Sequence, residues 1–351
     1  MEVSQRWLSF LRGEDTDRIP VFPTIMGHCA KITGAENLGD YYSKPKVFVE
    51  SNIIAREMYG YDQPPIIIDP GYGCAVWGGK TMLPYNPKMG APTPVQPAAL
   101  TVDEFEKLEI PDPKTAPYMK EFREMLRLCV EKKQMPYVWI SGGFITNTAP
   151  MIVPVEDFMM WLIEDPKLAH KALEMSAEFG IRLAESFVDE FGSDTWYAFQ
   201  PNPTDSNVLI DEGTFAEYPL KHVIRLNKKM ADMGLSTWIH WCADHNANID
   251  AGHVAKIPVG EEGFINFGPE VTMADQVDKL SDKFRLVGNI NPPRMMTESY
   301  SEWVNTCKQN IEEGKEAKLG YALGVGCEVP PPSPPSNMFG LVQAAKEYGK
   351  I

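Results

Sequence analysis

Short, almost uninterrupted apolar runs alternate along this chain with longer amphipathic stretches. Eight runs read as strands: residues 18–23, 65–69, 136–141, 194–200, 236–242, 263–268, 285–290 and 320–325. Apolar on both faces, they have the pattern of parallel strands buried between layers. Between them, helical periodicity covers residues 46–59, 116–132, 155–190, 214–233, 273–280, 299–313 and 337–348. Such alternation predicts a parallel sheet with crossover helices. Eight units predict closure into a (β/α)8 TIM barrel, one α/β domain over residues 1–351. No G-x-G-x-x-G follows the first strand, so a dinucleotide-binding sheet has no support. Residues 71–115, rich in Pro and Gly, predict a long excursion with a small hairpin around 75–83. The run PPPSPP at 330–335 predicts an extended turn before the last helix.

Charge narrows the partners. The net charge is −15, with no run of Lys or Arg. A nucleic-acid partner needs a basic face, and anionic membrane surfaces attract basic segments, so neither is expected. The N-terminal segment lacks the basic and apolar regions of a signal peptide, and no stretch has the ~18 apolar residues of a transmembrane helix. A cytoplasmic location is the resulting expectation. There the six cysteines, Cys29, Cys74, Cys129, Cys242, Cys307 and Cys327, would be buried thiols or metal ligands rather than disulfides.

In a barrel the chemistry belongs at the C-terminal ends of the strands. The fifth strand ends in His240-Trp241-Cys242 and the eighth in Gly326-Cys327. Side chains at i and i+2 of a strand share a side, so His240 and Cys242 can converge with Cys327. One imidazole and two thiolates suit zinc, with a fourth position left for water or substrate. The competing reading is two ordinary core cysteines, since buried Cys is common. His28 and Cys29, just past the first strand, could line the pocket, give a fourth ligand, or be satisfied polar groups. Asp205 in QPNPTDSN is a fourth ligand, a polar orienter, or a turn residue. His245 is a loop histidine or supports a ligand. Asn289, at the end of the seventh strand, is expected to point into the mouth as a candidate catalytic group. Trp77, Tyr197 and Trp241 either pack in the core or line a pocket for a small apolar or methoxylated substrate.

The segments RWLSFLRGEDTDRIPVFP, WIHWC, LVGNINP and LGVGCEVPPPSPPSNM, in this order and spacing, resemble the uroporphyrinogen decarboxylase superfamily over nearly the whole chain. That superfamily holds metal-free porphyrinogen decarboxylases and a zinc-dependent branch of corrinoid methyltransferases and O-demethylases with His-x-Cys plus a distant Cys. The decarboxylases carry an arginine-rich segment after the first strand; here it reads PTIMGHCAKITG, without arginine. Their last-strand histidine is replaced by Val325. A polycarboxylate needs such clamps, so the resemblance favours the methyltransferase branch. It aligns Asp69 with the family's central aspartate, a candidate catalytic group. It implies Zn2+ on His240, Cys242 and Cys327, and transfer of a methyl group between a methylcobamide and a small molecule. That molecule would be a thiol acceptor such as coenzyme M, or a methoxy or methanol donor. Cobalamin-carrying modules show D-x-H-x-x-G; Asp250 and His253 have the wrong spacing. The corrinoid is therefore expected on a separate partner protein. Alternatives are a decarboxylase or a non-catalytic ligand-binding barrel.

Overall fold

Parallel strands form where β-branched and aromatic residues run together between helices, and the computed structural model places seven in one sheet. It describes residues 1–86, 90–140 and 142–351. The strands are β1 (Ile66–Ile67), β4 (Tyr137–Trp139), β5 (Tyr197–Pro201), β6 (Thr237–Trp241), β7 (Phe264–Phe267), β8 (Arg285–Ile290) and β9 (Tyr321–Val325), all parallel and in this spatial order. An antiparallel pair, β2 (Lys80–Met82) and β3 (Thr93–Gln96), lies in the excursion after β1. The paired strands thus lie at Lys80–Met82 and Thr93–Gln96 rather than within the expected 75–83, and Ala75–Trp77 is a short 3-10 turn.

The expected first strand is reduced to one parallel bridge, Val21 to Leu323. Pro20 and Pro23 remove two N–H donors, which confines such a segment to sparse pairing. Side chains complete its other edge. Asp62 accepts from the Val21 N–H at 2.8 Å while the Asp62 N–H donates to the Val21 carbonyl at 2.8 Å. Gln63 bonds both the N–H and the carbonyl of Ile25, each at 3.0 Å. The buried Asp62 carboxylate is matched by Arg6 at 2.6 Å and Arg18 at 3.0 Å, as a buried charge requires. Gly324 is needed here: a Cβ would meet the Phe22 carbonyl oxygen at 2.1 Å.

Prolines also divide two expected helices. Residues 155–190 become Val155–Glu164 and Pro166–Phe191, and 214–233 become Glu212–Glu217 and Pro219–Asp232. Pro disfavours helix in the residue before it. The predicted strand 136–141 ends on Ser141, which lies outside the described residues. Helix Val3–Arg12 closes the N-terminal end of the barrel with Trp7. Its ring packs against Phe22 and Phe264 at 4.8 and 5.4 Å, and its N–H donates to the Tyr137 hydroxyl at 3.1 Å. Phe22, Tyr137, Trp238 and Phe264 extend this aromatic floor. Among the described residues no helix is long and apolar enough to cross a membrane.

Candidate metal centre

At the end of β6 the strand's period of two, carried one residue past Trp241, turns His240 and Cys242 inward and Trp241 outward. Cys327 follows the end of β9, across the barrel mouth. The three ligand atoms lie within 4.8 Å of one another. The two sulfurs are 3.8 Å apart, and the Cys242 sulfur is 2.6 Å from His240 Nε2. Two thiolates bound to a tetrahedral zinc at about 2.3 Å stand about 3.8 Å apart, so the sulfur pair already has that spacing. The histidine edge would open to about 3.5 Å around an ion of this size. The donor set and its spacing therefore fit zinc.

Groups around the cluster fix its donors. Asn266 is the register partner of His240 on the adjacent β7. Its Oδ1 accepts from His240 Nδ1, and its Nδ2 donates to the Val325 carbonyl at 3.4 Å. That bond sets the tautomer that leaves Nε2 free toward the sulfurs. Burial alone would lower the His240 pKa, but Cys327 and Asn266 outweigh it and raise it. The two thiols hold a proton between them, with Cys242 raised and Cys327 lowered by their mutual hydrogen bond. His245, whose pKa falls to about 4 by burial, donates from Nε2 to the Cys242 carbonyl at 2.9 Å. Its Nδ1 accepts from Asn248 at 3.2 Å. It braces the ligand loop and is not among the clustered donors.

The other sequence candidates are scattered. Asp205 is fully buried and accepts from the Ile145 and Thr146 N–H groups and the Thr146 hydroxyl at 2.9, 3.2 and 3.0 Å. It ties the loop after β5 to that after β4, and Asn248 links its carbonyl to His245. Burial pushes its pKa up to about 7. Asp69 accepts from the Gly71 and Gly73 N–H groups at 2.8 and 2.9 Å and shapes the turn after β1. His28 is engaged by the Pro331 carbonyl at 3.0 Å and the Tyr59 hydroxyl at 2.9 Å. Cys29 is a core thiol beside Asn52 and Tyr61.

Four further candidates find their places: Asn289 and Tyr197 as corrections, Trp241 and Trp77 as packed rings. Asn289 does not point into the mouth: its amide donates to the Gly268 and Val271 carbonyls, and its oxygen accepts from Asn310 on helix Tyr300–Gly314. Trp241 packs in the helical layer on Phe144, Phe215, His245 and Phe267. Tyr197 begins β5 and so lies at the opposite end, donating to Glu262 at 2.5 Å beside a cleft of about 620 Å3. Trp77 is buried against Phe179 at 5.4 Å.

Two residues at the mouth escaped the sequence reading. Tyr72, in the left-handed region at φ 51°, has its pKa pushed up to about 12 by burial, with smaller contributions from Glu328, Cys242 and Cys327. Its ring stands edge-on to Trp139 at 4.7 Å. Glu328 accepts from the Gly27 N–H at 2.9 Å, and burial pushes its pKa up to about 8. Asn266 also went unread; strand pairing with His240 is the signal that finds it. Thr24, Tyr72 and Ala243, each just past a barrel segment, have φ of 56°, 51° and 62°. Such strain gathers where function overrides local preference.

The scaffold is thus a parallel α/β barrel with an N/S donor cluster at its strand C-termini. The chain belongs to the uroporphyrinogen decarboxylase (URO-D) family, whose model matches residues 3–348. It is 24% identical over 357 residues to a methylcobamide:CoM methyltransferase MtaA of Methanosarcina barkeri, covering 98% of this chain and 97% of that one. A methylcobamide:CoM methyltransferase MtbA of Methanosarcina mazei is 26% identical over 179 residues, covering 50% of this chain and 48% of that one. A solved methyltransferase from Methanosarcina mazei superposes with a TM-score of 0.80 at 19% identity, covering 99% of both chains.

Proposed function

We propose that this protein is a zinc-dependent methyltransferase that moves a methyl group between a corrinoid carried by a partner protein and a small molecule. The convergence of His240, Cys242 and Cys327 within 4.8 Å carries the reading. Full-length similarity to proteins named methylcobamide:CoM methyltransferases supports it. The small molecule is a thiol acceptor such as coenzyme M, or a methanol or methoxy donor.

Bound zinc supplies a Lewis acid that holds a thiol as its thiolate at neutral pH, or polarises an ether oxygen. The chain's residues prepare that position. Asn266 orients the imidazole, and the lowered Cys327 offers a charged sulfur. His245 fixes the backbone of Cys242. The floor of Trp238 and Phe264 seals the site from below, so its polar groups act in a water-poor setting. In the thiol direction the partner's corrinoid would supply the methyl group, the S–C bond forming in place of the Co–C bond, whose electron pair would stay with the corrinoid. The C-terminal face of the barrel, where the three donors converge, is where the partner would dock.

The test is zinc content and methyl transfer on the same preparation. Metal-replete purification should give about one zinc per chain, and methylcobalamin should be consumed when a thiol is added. Absence of zinc would overturn the reading, as would turnover of uroporphyrinogen.

A further inference from the structure

We propose that the indole N–H of Trp139 binds a distal oxygen of the small methyl-exchange molecule, and so selects substrates that carry a hydrogen-bond acceptor away from the reacting atom. This rests on methyl transfer at His240, Cys242 and Cys327. It is read from the layer of side chains that stands above the aromatic floor.

Tyr137 of β4 and Trp238 of β6 meet inside the barrel, their rings edge to face with centroids 5.6 Å apart. Side chains from alternate strands share a layer in such a barrel. The period of two puts the residue two further on at the same inward side, one layer nearer the mouth. Those residues are Trp139 and His240. The layer that supplies the imidazole of the metal centre therefore also holds an indole. Only β5 separates β4 from β6, so their backbones stand about 10 Å apart. Two inward side chains with a small molecule between them fill such a gap.

Two observations single out Trp139. It is 2% exposed, and its Nε1 has no hydrogen-bond partner among the described residues. Buried side-chain donors are nearly always paired, so this one calls for an acceptor that the folded chain does not itself provide. Trp238 and Trp241 also leave Nε1 unpaired. The first, however, is walled in by Phe22, Phe199 and Phe264 in the floor, and the second by Phe144 and Phe215 in the helical layer. The second observation is the neighbour of Trp139 at the mouth. Tyr72 stands edge-on to its ring at 4.7 Å and itself interacts with both Cys242 and Cys327. Trp139 thus borders the space beside the sulfur pair. An indole N–H only donates. It recognises a sulfonate, carboxylate, hydroxyl or ether oxygen and gains nothing from an alkyl group. A molecule with its sulfur on the metal and such an oxygen at its other end meets both positions at once.

The experiment uses zinc-loaded protein and three thiols with the same two-carbon chain. 2-Mercaptoethanesulfonate and 2-mercaptoethanol carry oxygen acceptors, and ethanethiol carries none. Affinity is read by calorimetry in wild type and in Trp139→Phe, which keeps a ring against Tyr72 and removes the N–H. Comparing the two proteins with one thiol cancels that thiol's own ionisation. The variant should bind the sulfonate about tenfold or more weakly, and the hydroxyl thiol about threefold to tenfold more weakly, as expected for one lost hydrogen bond. Ethanethiol should bind both proteins within about twofold, and zinc should stay at about one per chain. Unchanged sulfonate affinity overturns this inference. An equal loss for all three thiols, or loss of zinc, does so too and marks Trp139 as a packing residue. If the variant does not fold, nitrogen-15-labelled wild type gives the answer. One indole N–H signal should move on adding the sulfonate thiol and stay on adding ethanethiol; movement with neither or with both overturns the inference. Each of these results leaves methyl transfer standing. Binding of none of the three thiols by wild type overturns both this inference and the thiol direction of methyl transfer.

Discussion

Truncating Asn266 separates the support of the metal site from the site itself. Asn266 is fully buried and makes two bonds, one to His240 Nδ1 and one to the Val325 carbonyl. Asn266→Ala leaves the imidazole without its orienting acceptor. Loss of such a partner weakens metal binding by about 10–100-fold, or about 1.4–2.8 kcal/mol. It also leaves a buried carbonyl without its donor, which costs about 1–3 kcal/mol of stability. Asn266→Asp restores an acceptor for the imidazole but cannot donate to Val325. Zinc affinity should therefore fall in the alanine variant and return in the aspartate variant, while the stability loss persists in both. Competition with a chromogenic chelator measures the first, and urea unfolding of zinc-free protein measures the second. Equal zinc affinity in wild type and Asn266→Ala would refute the assigned role. So would a loss that aspartate fails to restore.

Further outcomes follow from the same geometry. Cys242→Ala and Cys327→Ala should each reduce zinc from about one per chain to near zero, with zinc-free stability changed by only about 1 kcal/mol; retention of metal by either is incompatible with its role as ligand. His245→Ala should keep the metal but bind it about 10–100-fold more weakly, as chelator competition would show. Asp205 has a folded-state pKa raised to about 7 by burial. Its contribution to stability is full below the unfolded value and is lost as pH rises through 7. The advantage of zinc-free wild type over Asp205→Asn should thus shrink from pH 5 to pH 8, by up to about 2.6 kcal/mol. An advantage that grows with pH would contradict this.

The architecture was legible because parallel strands and amphipathic helices leave different periodicities, and most expected elements occur within a few residues of their places. The convergence of His240, Cys242 and Cys327 was legible because strand ends face one mouth and His240 and Cys242 are two apart. What failed was phase. A strand buried on both faces carries no alternation, so nothing in RLVGNI tells whether Asn289 faces the mouth or the helices. Trp241, read as a core or a pocket residue, falls to the core by the same phase: what turns His240 inward turns its neighbour outward. Tyr197 was misplaced because an apolar run does not mark where pairing begins, and β5 starts at that residue. The first strand was over-read because its edge is completed by the side chains of Asp62 and Gln63, a tertiary arrangement without local pattern. Asn266 stayed hidden because its meaning comes from a neighbouring strand.

The central claim is that two cysteines and one histidine hold zinc with a position open to substrate. X-ray absorption at the zinc edge tests this most directly. The purified protein should show two sulfur scatterers at about 2.3 Å with nitrogen or oxygen at about 2.0–2.1 Å. Adding 2-mercaptoethanol should raise the sulfur count to three. A zinc shell without sulfur, or one whose sulfur count stays unchanged on adding the thiol, would contradict the account.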